Sequence, residues 1–198
     1  VMYARSFNGG DTFSSPIAVS GNITYHPLTV NGAGNSFSTL DLEVDSGGHP
    51  RVAYAFVSTG DRERKKNVYF AYSTDGGGTW QTPLVVNDTK VGATESRNAA
   101  FPRMVINDRD NIFISYVRGA SSGGGSDDIM LAKVNRFSSP FSILPIGETG
   151  TTGTGGIRLT ANGDRATGPD LALGDGDALH LVYFNDTGNR IEHKRLAS

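Results

Sequence analysis

Short apolar runs alternate with polar turns along the whole chain. In Leu40-Asp41-Leu42-Glu43-Val44 the apolar side chains fall on one face and the carboxylates on the other, the period of two that predicts a β-strand. The polar turn Asp45-Ser46-Gly47-Gly48 follows, and then a second apolar stretch, Val52-Ala53-Tyr54. The same hairpin recurs as Arg103-Met104-Val105-Ile106, a turn over 107–111, and Ile114-Ser115-Tyr116. A third copy is Asp170-Leu171-Ala172-Leu173, a turn over 174–177, and Leu181-Val182-Tyr183, which keeps Tyr54, Tyr116 and Tyr183 in register. Third strands are predicted over 67–73, 129–134 and 190–195, and a fourth over 82–86. The pattern contains no amphipathic helix of useful length.

A second repeat lies inside the first. Ser73-Thr74-Asp75-Gly76-Gly77-Gly78-Thr79-Trp80 has a weaker copy in Ser6-Phe7-Asn8-Gly9-Gly10-Asp11-Thr12-Phe13, a step of 67 positions from Ser6 to Ser73. The match extends to Val1 with Val68, Tyr3 with Phe70, Ala4 with Ala71 and Pro16 with Pro83, so the octapeptide is part of a repeating unit. Asp75 can accept backbone N–H groups within its own turn, Gly76 to Gly78 supply conformations closed to other residues, and Trp80 can pack under the hairpin. The middle unit has lost this turn and carries Val134-Asn135-Arg136-Phe137 instead. A replaceable turn is structural rather than catalytic.

The pattern Ser-x-Asp-x-Gly-x-Thr-Trp resembles the Asp-box, or BNR repeat, of sialidases and several other β-propeller families, enzymes and non-enzymes alike. The resemblance rests on Ser73, Asp75, Gly77, Thr79 and Trp80, and in degenerate form on Ser6, Asn8, Gly10, Thr12 and Phe13. It implies an all-β fold, a β-propeller of four-stranded antiparallel blades, with about three blades' worth of a ring of about six. Residues 1–20 then form a half blade with the degenerate box, 38–87 a blade with the box, 101–146 a blade that has lost it, and 168–198 a partial blade. The whole chain, 1–198, is one propeller segment, and the ring is completed by further blades or by another subunit.

Composition narrows the function classes. The 26 glycines cluster with Ser, Thr, Asn and Asp between apolar runs, as a fold of many tight turns requires. A net charge of -2 offers no basic field for nucleic acid, and the one basic run, Arg62-Glu63-Arg64-Lys65-Lys66, is diluted by acidic residues. No apolar run approaches the roughly 18 residues of a membrane span. The absence of cysteine excludes disulfides and thiol chemistry. His26, His49, His180 and His193 are scattered without metal-ligand spacing, and the acidic turns 108–111 and 175–177 lack a full calcium-loop pattern, so neither a metal nor a cofactor is expected. Three sequons, at Asn22, Asn87 and Asn185, matter only in a eukaryotic secretory setting. The resemblance implies a secreted, periplasmic or cell-surface protein.

Candidate chemistry lies in the long polar connections 21–38, 88–101 and 147–168, which lead into the innermost strands and converge in a propeller. Sialidases hold their substrate carboxylate with an arginine triad and add a Tyr nucleophile assisted by Glu and an Asp acid-base. The corresponding residue types here are Arg103, at the start of an innermost strand with Asp41 and Asp170 at the same position in neighbouring copies, and Arg97, Arg158, Arg165, Glu95 and Asp164 in the connections. Tyr25 is the only tyrosine in such a connection. The Phe/Tyr-Arg-Ile-Pro motif of the first sialidase arginine is absent; Phe101-Pro102-Arg103-Met104 holds similar letters in another order, so no catalytic role transfers. Arg103 between two acidic copies equally fits salt bridges between neighbouring units. Three functions remain open: recognition of a glycan or another protein, a glycoside hydrolase of exo-sialidase type with part of its active site outside this chain, and a scaffold or assembly factor.

Overall fold

A computed structural model describes residues 1–20, 39–57, 66–87, 99–119, 127–136, 141–144, 157–160 and 165–196. Among the described residues, four antiparallel sheets follow one another along the chain. The first pairs β1 (Met2–Tyr3) with β2 (Ile17–Ala18). The second runs β3 (Leu40–Val44), β4 (Pro50–Val57), β5 (Lys66–Tyr72), β6 (Leu84–Val85). The third runs β7 (Ala99–Ile106), β8 (Ile112–Arg118), β9 (Asp128–Asn135), β10 (Ser142–Leu144), and a short β11 (Ile157–Arg158) shares the outer edge of β9 with β10. The fourth runs β12 (Ala166–Leu173), β13 (Leu179–Asn185), β14 (Arg190–Leu196), with a single 3-10 turn at Asp175–Asp177. The fold is nearly all-β. The strand β11 has no counterpart in the hydrophobic pattern, and the fourth strand expected over 82–86 is shorter.

The sheets stack face to face through three apolar layers. Val1, Tyr3 and Val19 pack with Val52, Tyr54, Tyr69 and Ala71 of the second sheet. The opposite face of that sheet, with Ala53, Ala55, Val68 and Phe70, packs on Met104, Ile114, Tyr116 and Met130 of the third. The far face of the third sheet, with Val105, Val117, Ile129 and Leu131, meets Leu171, Leu179, Leu181 and Tyr183 of the fourth. A strand covered on both faces needs apolar residues at every position rather than every second one. Val52-Ala53-Tyr54-Ala55 is such a run, and each large side chain buried there contributes about 1.5–3 kcal/mol.

In β3 the covered face is the reverse of what hydrophobicity suggests. Leu40, Leu42 and Val44 are 52%, 46% and 54% exposed, while Asp41 and Glu43 are half-buried. The first sheet packs on β4 and β5, and no residue of β3 belongs to that layer. The acidic face turns instead toward the third sheet, where Asp41 Oδ2 accepts the Met104 backbone N–H at 2.8 Å. Burial, aided by the nearby Asp41, pushes the Glu43 carboxyl above the ordinary range.

The first strands of the second, third and fourth sheets, β3, β7 and β12, run side by side in one direction. Their leading ends are joined by the Asp41–Met104 bond and by an ion pair between Arg103 Nε and Asp170 Oδ1 at 3.6 Å. At their trailing ends Ser46 N and Oγ both donate to the Asp110 carboxylate at 2.9 Å, and Arg109 Nε pairs with Asp177 Oδ2 at 3.7 Å. The acidic hairpin turns are thus ties between sheets. Arg136 reinforces the first tie, donating to Asp110 Oδ2 at 3.1 Å, and the bonds from Ser46 lead in holding the Asp110 carboxyl below its ordinary range.

The two copies of the glycine-rich turn share one hydrogen-bond pattern. Gly77 N donates to Ser73 Oγ at 2.8 Å and Gly10 N to Ser6 Oγ at 2.8 Å; Thr79 N donates to Asp75 Oδ1 at 2.9 Å and Thr12 N to Asn8 Oδ1 at 3.0 Å. One bond reverses polarity. Thr79 Oγ1 donates to Asp75 Oδ2 at 2.7 Å, whereas in the first copy Asn8 Nδ2 donates to Thr12 Oγ1 at 3.0 Å. In the second copy positive φ is confined to Gly76 (+70°) and Gly77 (+95°), so the third glycine, Gly78, needs no special conformation, contrary to the sequence expectation. Trp80 packs edge-on against Tyr3 of the first sheet, ring centroids 5.2 Å apart, rather than solely under its own hairpin.

Candidate functional site

In the third and fourth sheets the first strand, β7 and β12, carries a β-bulge near its leading end. The register of β7 on β8 shifts between Ala100 and Arg103, and that of β12 on β13 between Thr167 and Asp170. The residues that absorb the extra length are Phe101, φ +54°, and Gly168, φ +58°. A bulge of this kind bends the strand and re-aims the side chains that follow it. Arg103 and Asp170 follow, and their charged groups meet between the two sheets. Both are partly solvent-exposed, so the pair contributes about 0–1 kcal/mol to stability and its charges remain accessible to other ions. Asp41 stands in the same row, one sheet back, with one carboxylate oxygen given to the Met104 N–H.

A second charged group lies in the third sheet toward the same leading end. The Asp128 side chain is fully buried, and Oδ2 pairs with Arg118 Nη2 at 3.2 Å and Arg158 Nη2 at 2.9 Å. Thr160 Oγ1 donates to the other oxygen, Asp128 Oδ1, at 3.4 Å, and Ile129 N donates to Thr160 Oγ1 at 3.3 Å. A carboxylate without water needs such partners. Two guanidinium groups thus share one buried carboxylate, and both are about a quarter exposed.

Of the residues singled out by sequence, the structure brings Asp41, Arg103 and Asp170 into one row. Arg165 immediately precedes β12 and pairs with the β13–β14 turn, its Nε 3.9 Å from Asp186 Oδ2 and its backbone N–H on Thr187 Oγ1 at 3.0 Å. Arg97, Glu95, Asp164 and Tyr25 lie outside the described residues. The sequence reading missed Arg118 and Asp128: each ends a strand pattern at an unremarkable position, and only pairing of β8 with β9 makes them neighbours. Tyr183 is buried in the stack and donates to Glu192 Oε2 at 2.5 Å.

The glycine-rich turns occupy the other end. Buried Arg51 donates to Asp45 of the β3–β4 hairpin and to the Ser73 carbonyl, joining that hairpin to the turn over 73–80. Its guanidinium also lies 5.5 Å from the Phe141 ring centroid, and desolvation by burial leads in lowering its pKa. A polar cleft at this trailing end is lined by Asp108, Arg109, Leu173 and the turn 174–177. Asp177 there is already tied to Arg109.

Two sequons are structural. Asn87 is 4% exposed, accepting the Val68 N–H at 2.8 Å and donating to Asn67 Oδ1 at 2.9 Å; Asn185 is 2% exposed and donates to Glu192 Oε1 at 2.9 Å. Asn22 lies outside the described residues. No helix among the described residues is long and apolar enough to cross a membrane.

No protein-family model and no curated protein matches the chain. Solved structures do. The Hadza microbial sialidase Hz136 superposes on 79% of this chain with a TM-score of 0.51 at 12% sequence identity. The intramolecular trans-sialidase from Ruminococcus gnavus, solved with oseltamivir carboxylate, matches over 98% with a TM-score of 0.47 at 13% identity. The chain spans about a third of the length of each, 34% and 37%. The likeness to the first is one of fold: the chain has a sialidase-like β fold.

Proposed function

We propose that the chain is a segment of an Asp-box β-propeller that recognises a glycan at the leading ends of its innermost strands. The observation that carries this is the row Asp41, Arg103 and Asp170 on three adjacent inner strands, at the end of the stack remote from the Asp-box turns. A guanidinium bordered by carboxylates presents donors and acceptors side by side, the pairing that a polyhydroxylated ligand uses. The guanidinium groups of Arg118 and Arg158, each about a quarter exposed beside Asp128, are of the type that pairs with a carboxylate, as an acidic sugar carries. In this reading the protein works outside the cytoplasm, where such glycans are presented.

A hydrolase of exo-sialidase type is the second reading, supported by the fold shared with Hz136. Its remaining catalytic groups would come from parts of the ring beyond the described residues.

The test is binding of the protein to an array of neutral and acidic oligosaccharides, repeated with Arg103→Ala. Because the Arg103–Asp170 pair is partly exposed, the substitution costs little stability, and a loss of affinity of about tenfold or more reports on recognition. Equal binding by wild type and variant removes Arg103 from the site. Release of the fluorophore from a fluorogenic sialoside by the full-length protein selects the hydrolase reading.

A further inference from the structure

Phe101 occupies a backbone conformation that its side chain makes costly. Its φ of +54° lies in the left-handed region, where a bulky residue is an outlier, and the matching position of the next sheet holds Gly168 at φ +58°. A bulge here needs only a glycine. The ring is 42% exposed and belongs to none of the three apolar layers that hold the sheets together. It stands two residues before Arg103, at the leading end of β7. Strain kept at an exposed aromatic residue marks a place where the side chain does something other than pack.

We propose that the Phe101 ring is the stacking platform for a pyranose ring of the ligand, with Arg103 taking a polar or anionic substituent of the same sugar. This rests on the reading of the leading end as a glycan site. A pyranose carries a face of axial C–H groups, and an aromatic ring with its negative π-face is the complementary surface, while hydroxyl and carboxylate groups project toward the rim where a guanidinium can reach them. The β-bulge that forces the positive φ also sets the ring and Arg103 on the same stretch of strand, so one structural device positions both contacts.

The experiment compares wild type, Phe101→Gly and Phe101→Trp for thermal midpoint and for affinity, by calorimetry, toward the best-bound oligosaccharide of the array. Phe101→Gly is expected to keep or raise the midpoint, because glycine fits the left-handed position, and to weaken binding by about tenfold or more. Phe101→Trp is expected to bind within about threefold of wild type, since it keeps a stacking face. A fall in the midpoint of Phe101→Gly would show that the ring is held for packing and would overturn the proposal. Unchanged affinity in Phe101→Gly would overturn it while leaving the glycan reading intact. A wild-type protein that binds no sugar on the array removes both.

Discussion

At the scale of single residues, the best-defined groups are charged side chains enclosed by their own hydrogen bonds. Glu192 accepts from Tyr183, Asn185 and Arg190, with the tyrosine bond leading, and these hold its carboxyl at about 2, below the ordinary 4.5. A depressed folded-state pKa contributes stability above the unfolded value and loses it as the pH falls through the folded one. Glu192→Gln should therefore lower the thermal midpoint at neutral pH, and the difference from wild type should shrink between about pH 4.5 and 2. A pH-independent difference would show that the network acts by shape alone. Asp75, held well below the carboxylate range chiefly by the Thr79 N–H, adds stability in the same direction. Arg51 is enclosed differently: its side chain is 5% exposed and paired with Asp45. Arg51→Ala removes the guanidinium from Asp45 Oδ2, leaving that carboxylate only His49 and the backbone N–H groups of Gly47 and His49 on its other oxygen, and is expected to cost about 3 kcal/mol in urea denaturation. Asp75 and its turn were legible in the sequence, because every partner lies within four residues. Arg51 was not, since its partner Ser73 is 22 residues away and no local pattern connects them.

At the scale of elements, the two glycine-rich turns are one structure in two surroundings, and their differences separate backbone strain from packing. A Cβ on Gly77 would lie 2.4 Å from Tyr3 Cε1, whereas one on Gly10 would meet nothing within 4 Å. Both have positive φ, +95° and +102°. Gly10→Ala should cost about 1 kcal/mol, the strain alone, and Gly77→Ala at least about twice that, because the strand β1 must also move. Equal costs would mean that the first sheet does not grip the turn. Strand positions were readable from alternation because a pleated strand exposes successive residues to opposite faces. The bulges were not, since Phe101-Pro102 and Gly168-Pro169 look like ordinary strand approaches until the register with β8 and β13 is known.

At the scale of the whole molecule, the stack has an apolar surface at each end. Leu40, Leu42 and Val44 are exposed on β3, and Val182 and Ile191, 41% and 78% exposed, lie on the outer side of the fourth sheet. The polypeptide of these 198 residues should self-associate as its concentration rises, and Leu42→Lys together with Ile191→Lys should suppress this in sedimentation velocity without lowering the thermal midpoint. A wild-type polypeptide that stays monomeric at every concentration would argue against these faces as sticky surfaces. The sequence by itself determined the repeats, the strands and the inner geometry of the glycine-rich turns, because these depend on contacts between residues close along the chain. It also aligned Asp41, Arg103 and Asp170 at equivalent positions. Only the tertiary structure decided that β3 turns its acidic face inward, that Arg103 meets Asp170, and that Asp128 lies buried between Arg118 and Arg158. The physical reason is that each of these depends on which strand or sheet comes to lie against which, and stacking buries whichever surfaces meet.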